Sequence, residues 1–305
     1  MTVDATPWVT LPDGAGTGIL SADLGELRIG PLTCRWGART YVMGIVNVTP
    51  DSFSGDGLLA GRRGVEPVDA ALGLAREMVD EGADILDVGG ESTRPGHEPI
   101  GEDEERARVL PVIEALRAAL PGVALSIDTT RSAVARAALD AGADMVNDVW
   151  GVAAEGELLE LVAERGVPIV LMHNRAEARY ANVLAEVIAD LEASIEAAER
   201  AGIRRDAILV DPGIGFGKTP EQNLAVLRAL PALRVLRRPM LLGTSRKSTI
   251  GRVLDLPPDD RLEGTLATTA LAVAAGVDIV RVHDVRENVR VARMADAVIR
   301  RADGP

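Results

Sequence analysis

The stretch Asp84-Ile85-Leu86-Asp87-Val88-Gly89-Gly90-Glu91-Ser92-Thr93-Arg94-Pro95-Gly96 decides how the rest of the chain is read. It begins as a buried strand, with Ile85, Leu86 and Val88 apolar, and turns polar at once after two glycines. Glycine admits backbone conformations closed to other residues and lets a ligand or another backbone come close. Ser92, Thr93 and Arg94 bring two hydroxyls and a fixed fork of donors, the equipment for holding an anion. Taken alone, the stretch is equally an ordinary strand-to-helix loop. Its weight comes from the same event recurring at one strand end after another.

Strand-like runs occur at Val42–Asn47, Ile85–Val88, Leu125–Asp128, Met145–Asp148, Ile169–His173, Ile208–Asp211, Met240–Gly243 and Ile279–His283. Each is followed by a helical pattern: Val68–Glu81, Glu102–Leu120, Ser132–Ala141 with Ser132 near the cap, Glu157–Arg165, Val183–Arg200, a helix opening at Pro220, Leu262–Ala275 and Val285–Arg301. In Val183–Arg200, Leu184, Val187, Ile188, Leu191 and Ile195 fall on one helical stripe. Glycine closes several helices before the next strand, at Gly82, Gly142, Gly166 and Gly276, as a left-handed cap requires. Eight strand–helix units predict an α/β fold closed into a (β/α)8 TIM barrel, preceded by a short N-terminal β-hairpin within residues 19–37. A doubly wound open sheet is the alternative, weakened because no Gly-x-Gly-x-x-Gly follows the first strand. Residues 1–18 read as a flexible tail, and 19–305 as one domain.

Composition narrows the function. The chain has 305 residues, net charge −13 and 2% aromatics, which disfavours nucleic acid for want of both basic surface and stacking platforms. One cysteine, Cys34, excludes an internal disulfide framework and reads as a small buried apolar residue. Neither a signal peptide nor a transmembrane run is evident, so the expectation is a cytoplasmic protein with no membrane partner.

In a barrel of this kind the active site lies at the C-terminal strand ends. Those ends read Asn47, Asp87, Asp128, Asn147, His173, Asp211, the loop Gly243–Lys247, and Arg281 with His283. Buried polar groups left unbonded cost about 2–7 kcal/mol each, so partners are required. Arg281 and His283 share a strand face and would form a dense positive site. Asp87 could cap a helix or pair with an arginine, His173 reads as a satisfied core histidine, and Asp148 should point away into packing or a loop bond. Asp128, Asn147 and Asp211 suit a flat heterocycle with amino, imino and keto edges, with Lys247 donating to a ring nitrogen or oxygen. Asp211-Pro212-Gly213-Ile214-Gly215-Phe216-Gly217-Lys218 could be mistaken for a nucleotide loop but lacks the Gly-x4-Gly-Lys-Ser/Thr spacing. Gly243–Ser248 opens a short helix. The loop after the first strand, through Phe53, is long and polar, as lids often are.

Five motifs together resemble the dihydropteroate synthases, the folate-pathway enzymes targeted by sulfonamides: the first-strand loop through Phe53, Gly89–Gly96, Asp211–Lys218, Ser245–Ser248 and Arg281–Val285. The resemblance runs from about Ile19 to the last helix. It implies condensation of 6-hydroxymethyl-7,8-dihydropterin diphosphate with p-aminobenzoate. By similarity Asp128, Asn147, Asp211 and Lys247 would hold the pterin, with Phe216 nearby. Thr93, Arg94, Arg281 and His283 would hold the diphosphate, and Asn47 would help bind Mg²⁺. Phe53, Arg94, Pro95 and Ser248 would shape the p-aminobenzoate site. Lys247, Asp128, Arg281 and His283 would carry the catalysis, by an S_N1-like route in a homodimer. Two departures stand out: Gly55-Asp56 after Ser54, and Asn174-Arg175 after His173 in place of the commoner Met-x-Gly. A corrinoid-directed methyltransferase domain would not need Arg94, Lys247-Ser248 or the Arg281/His283 pair, and a non-catalytic pterin-binding paralogue would not need Phe53, Thr93 and Arg94.

Overall fold

A computed structural model describes residues 24–48, 66–91, 100–150 and 156–300. The hairpin is present, with β1 (Glu26–Ile29) antiparallel to β2 (Leu32–Arg35) across a turn at Gly30. The barrel strands follow as β3 (Tyr41–Asn47), β4 (Ile85–Gly89), β5 (Ala124–Asp128), β6 (Met145–Asp148), β7 (Ile169–Met172), β8 (Ile208–Asp211), β9 (Leu241–Leu242) and β10 (Ile279–Val282). They form one parallel sheet in the order β8-β7-β6-β5-β4-β3-β10-β9. A parallel bridge between Val210 and Met240 joins its two ends, so the ring closes as expected. The strand expected at Met240–Gly243 shrinks to two residues, since Met240 contributes only that single bridge.

The helices also fall where the periodicity predicts: α1 (Pro67–Glu81), α2 (Glu102–Ala119), α3 (Ser132–Asp140), α4 (Gly156–Arg165), α5 (Val183–Arg200), α6 (Pro220–Arg228), α7 (Ser248–Leu254), α8 (Leu262–Ala274) and α9 (Val285–Ile299). Ser132 lies next to the cap, as expected: Arg131 takes the cap position, and the Ser132 hydroxyl donates to Glu157. Pro220 sits in the first turn of α6 behind a Thr219/Gln222 capping box.

Helix-to-strand junctions repeat one device. Gly82, Gly142 and Gly276 have positive φ, and an aspartate two residues on accepts a neighbouring strand's N–H. Asp84 takes Val42 N, Asp144 takes Leu125 N and Asp278 takes Met240 N, each at 2.9 Å. Arg39 and Arg117 neutralise Asp84 and Asp144 from outside. This N-terminal rim is built for stability.

Strand alternation then sorts side chains between two cores. Leu86, Val88, Leu125, Ile127, Val146, Leu171 and Val210 face the helices. Met43, Ile85, Ala124, Met145, Val170, Leu209, Leu241 and Ile279 face the barrel axis, where Leu27, Ile29, Cys34 and Trp36 of the hairpin pack against them. Cys34 is fully buried, and burial pushes its thiol up to about 12, in keeping with an inert packing role. No helix among the described residues is long and apolar enough to cross a membrane.

Candidate active site

Two to four residues further along the same inward face of β4, β5, β6, β8 and β10, the side chains become polar. Asp87 and Asp128 continue from Ile85 and Ala124, and Asn147 and Asp211 from Met145 and Leu209. Arg281 and His283 continue from Ile279. Asp87, Asp128, Asn147 and Asp211 are all buried. The sequence that makes a dry barrel floor thus makes a charged mouth one pleat higher.

Arg281 is the centre of the mouth. Its Nε donates to Asp87 Oδ2 at 2.6 Å, and its Nη2 to Asp128 Oδ2 at 2.6 Å. Asn147 Nδ2 donates to the same Asp87 oxygen at 3.0 Å. The dense positive site expected from Arg281 and His283 is therefore corrected, because two carboxylates neutralise the guanidinium. Burial lowers the Arg281 pKa and the two carboxylates raise it; the carboxylates prevail. Burial pushes Asp128 up to about 7 against the pull of Arg281. Burial likewise raises Asp211, opposed by Lys247 and by its bond from Gly213 N at 2.7 Å. Asp87 Oδ1 is buried without a hydrogen-bond partner among the described residues.

Lys247 arrives from the loop after β9. Its ammonium donates to the Ile214 carbonyl and lies 4.4 Å over the Phe216 ring. Burial brings it down to about 8, resisted by Asp211. Ser248 opens α7 and is exposed. Ser245, which sequence reasoning passed over, holds His283 twice: its Oγ accepts the His283 backbone N–H at 3.1 Å and lies 3.0 Å from Nδ1. Arg246, at φ 57°, forms a two-armed pair with Asp284 and holds the loop to the start of α9. Asn47 stands at the rim: a Cβ placed on Gly89 would lie 3.8 Å from Asn47 Oδ1 and 3.6 Å from Asp128 Oδ2, so both oxygens overlook one point.

His173 is not in the mouth. It has the parity of Ile169 and Leu171, so it faces the helices, fully buried. Its Nε2 lies 3.1 Å from Asp190 Oδ2 and its Nδ1 2.8 Å from Lys218 Nζ. A lysine ammonium only donates, so Nδ1 accepts and Nε2–H donates to Asp190. Burial, then Lys218, pushes the imidazole down to about 4. The core-histidine reading holds. Asp148 also points outward and accepts Trp150 N at 2.9 Å, the expected loop bond. The unusual Asn174-Arg175 is part of a polar network: Asn174 donates to the Val149 carbonyl, while Arg175 binds Asp190 and Glu186 and lies over Tyr180. The expectations for Phe53, Asp56, Thr93, Arg94, Pro95 and the tail fall outside the described residues.

With this geometry in view, the chain can be compared with known proteins. A family model described as "Pterin binding enzyme" matches residues 43–283. A dihydropteroate synthase of Bacillus subtilis is 49% identical over 269 residues, covering 88% of this chain and 92% of its own. The solved Xanthomonas albilineans dihydropteroate synthase with 4-aminobenzoic acid is 45% identical with a TM-score of 0.80, covering 88% of this chain and 94% of that one. The Yersinia pestis dihydropteroate synthase in a sulfonamide drug complex is 38% identical with a TM-score of 0.81, covering 90% and 98%. A pterin-binding barrel enzyme is thus the class that fold and mouth define. Within that class, the chain belongs to the dihydropteroate synthase family.

Proposed function

We propose that this chain joins 6-hydroxymethyl-7,8-dihydropterin diphosphate to p-aminobenzoate, giving 7,8-dihydropteroate and pyrophosphate. The observation that carries the reading is the convergence of Asp128, Asn147, Asp211, Lys247 and Arg281 on one barrel mouth, with carboxylates and cations interleaved.

Asp128, Asn147 and Asp211 accept from and donate to the pterin's edge, and Lys247 donates to its ring. Asp87 and Asp128 engage two of the five N–H donors of Arg281, which leaves donors on the same guanidinium for the diphosphate. Asp87 is thus the added member of the site, because it aims the guanidinium. His283, held by Ser245, presents its other ring nitrogen to the same anion. As the carbon–oxygen bond to the diphosphate breaks, Arg281 and His283 stabilise the departing charge. The carboxylates then stabilise the cationic methylene carbon, and the route is S_N1-like. The arylamine, bordered by Lys247 and Ser248, attacks that carbon, and a proton leaves its nitrogen.

Mg²⁺ suits the rim. Asn47 offers a hard amide oxygen beside Asp128, and magnesium is commonly held by a few protein oxygens plus substrate phosphates. It would supply charge neutralisation on the diphosphate. The active form is a cytoplasmic homodimer, supported by exposed Leu224, Val253, Leu254 and Leu271 across α6–α8, and its arylamine site takes sulfonamides in competition with p-aminobenzoate.

The test is pyrophosphate release by purified protein with pterin diphosphate, p-aminobenzoate and Mg²⁺, omitting each in turn. Release that needs all three, with dihydropteroate as product, is the expected result. Pterin binding without turnover would replace the synthase reading by a non-catalytic one.

A further inference from the structure

Of the 33 basic residues in this chain, only Lys218 and Lys247 are lysines; all the others are arginines. Both lysines grip the same short loop. Lys247 donates to the Ile214 carbonyl and covers the Phe216 ring from the mouth side. Lys218 donates to the carbonyls of Gly213 at 3.0 Å and Phe216 at 3.1 Å, and to His173 Nδ1 at 2.8 Å. Lys247 has a place in the reaction above. Lys218, the last residue of the Gly-x-Gly-x-Gly-Lys run, has none.

The loop's geometry is specific to a lysine nitrogen, which burial pushes down to about 7 against the pull of Asp211. In an anion-binding loop the backbone N–H groups converge on the ligand. Here carbonyls converge on an ammonium supplied by the loop's own end. Three acceptors around one nitrogen match the three N–H donors of a lysine. The planar fork of an arginine spreads its donors over three nitrogens and cannot reproduce that arrangement. In a chain that otherwise relies on arginine, this accounts for a lysine here. The surroundings leave no slack. Gly213, Gly215 and Gly217 all have positive φ. A Cβ on Gly213 would lie 1.8 Å from the His173 carbonyl, and one on Gly217 2.3 Å from the Arg175 carbonyl. Tyr180 Oη donates to the Gly217 carbonyl at 2.8 Å, fastening the loop's far end to the segment after β7. The charged groups facing Lys218 are Asp211 from β8, Lys247 from the loop after β9, Arg175 beyond β7 and Asp190 from α5. His173 touches it directly.

We propose that Lys218 is a positioning residue: its ammonium clamps the 213–217 loop and so fixes the Ile214 carbonyl and Phe216 ring that hold Lys247. The clamp deepens the synthase reading, because the Lys247 it fixes both donates to the pterin and borders the arylamine.

The chain's two lysines make the test direct. Protein carrying [ε-¹³C]lysine gives two side-chain resonances, and Lys218→Met leaves Lys247 alone. In that variant the Lys247 resonance should move, and its titration midpoint should rise toward that of a free lysine. In turnover, the KM for p-aminobenzoate should rise about tenfold or more and the Kd for the pterin diphosphate should rise with it, since Lys247 serves both, while thermal stability stays close to wild type, the signature of a misplaced contact. Lys218→Arg should resemble Lys218→Met, since the charge returns without its three-pronged geometry. Full rescue by Lys218→Arg would overturn the clamp in favour of charge alone. So would an unmoved Lys247 resonance, or a loss of substrate binding that merely follows a loss of thermal stability. Absence of turnover in the wild type would instead strike the synthase reading, and the lysine spectra would still judge the clamp.

Discussion

Asp87 and Arg281 stand 194 residues apart in the chain and 2.6 Å apart at the barrel mouth. Asp87 is fully buried, so the guanidinium is what permits a carboxylate there at all. One arginine therefore holds two carboxylates in place and faces the proposed diphosphate.

Arg281→Met should consequently do two things. Leaving Asp87 and Asp128 without their cation should cost about 3–5 kcal/mol of stability, the usual result of breaking a buried pair from one side. Diphosphate affinity should fall further than affinity for the free pterin. Denaturant titration and ligand binding separate the effects, and Asp87→Asn in the same chain should recover part of the stability. Equal loss for both ligands would remove Arg281 from the diphosphate site.

Asp148 gives a pH prediction away from the chemistry. Burial pushes it up to about 7, and its Oδ2 has no hydrogen-bond partner among the described residues. The folded state thus holds a proton that the unfolded chain releases near pH 4. Its stabilising contribution is complete below the unfolded value and is lost as pH rises through about 7. Relative to Asp148→Asn, the wild type should lose up to about 1.4 kcal/mol per pH unit across that window, and nothing above it. A constant difference from pH 4 to 8, by urea unfolding, would contradict this.

Gly213→Ala tests the loop's steric demand. At φ 67° and 1.8 Å from the His173 carbonyl, the new methyl group forces the loop away from β7. Gly25→Ala, at φ 71° with open space around it, isolates the backbone strain, about 1–2 kcal/mol. Gly213→Ala should cost clearly more than that in thermal unfolding and abolish most turnover.

Ser245→Ala should leave the fold intact and weaken diphosphate binding by up to about tenfold, the worth of one neutral hydrogen bond. Unchanged affinity would mean that the bond to His283 Nδ1 is ornamental.

Much of this was legible from residues 84–96 and their echoes. Period-two alternation put Asp128, Asn147 and Asp211 on the inward face, and eight repeats of strand and helix closed the barrel. The same alternation, counted from Ile169, sends His173 outward, so its exclusion from the mouth was available from the pleat alone. What could not be read was pairing across distance. Nothing near Asp87 announces Arg281, and nothing near Ser245 announces His283, because those contacts exist only once β4 and β10, or the β9 loop and β10, meet. Ser132 beside the cap was legible by residue type, but that Arg131 at the cap sends its side chain to Glu91 and Glu105 was not, because those contacts are tertiary.

The hairpin's Leu27, Ile29, Cys34 and Trp36 cork the barrel from below with apolar side chains. A corked vessel has one opening, so everything that enters must leave past whatever arrived later. For the reaction proposed here, the molecule seated on Asp128, Asn147 and Asp211 goes in first. Its product is the last thing out, and a slow-leaving product would block the next cycle at the door.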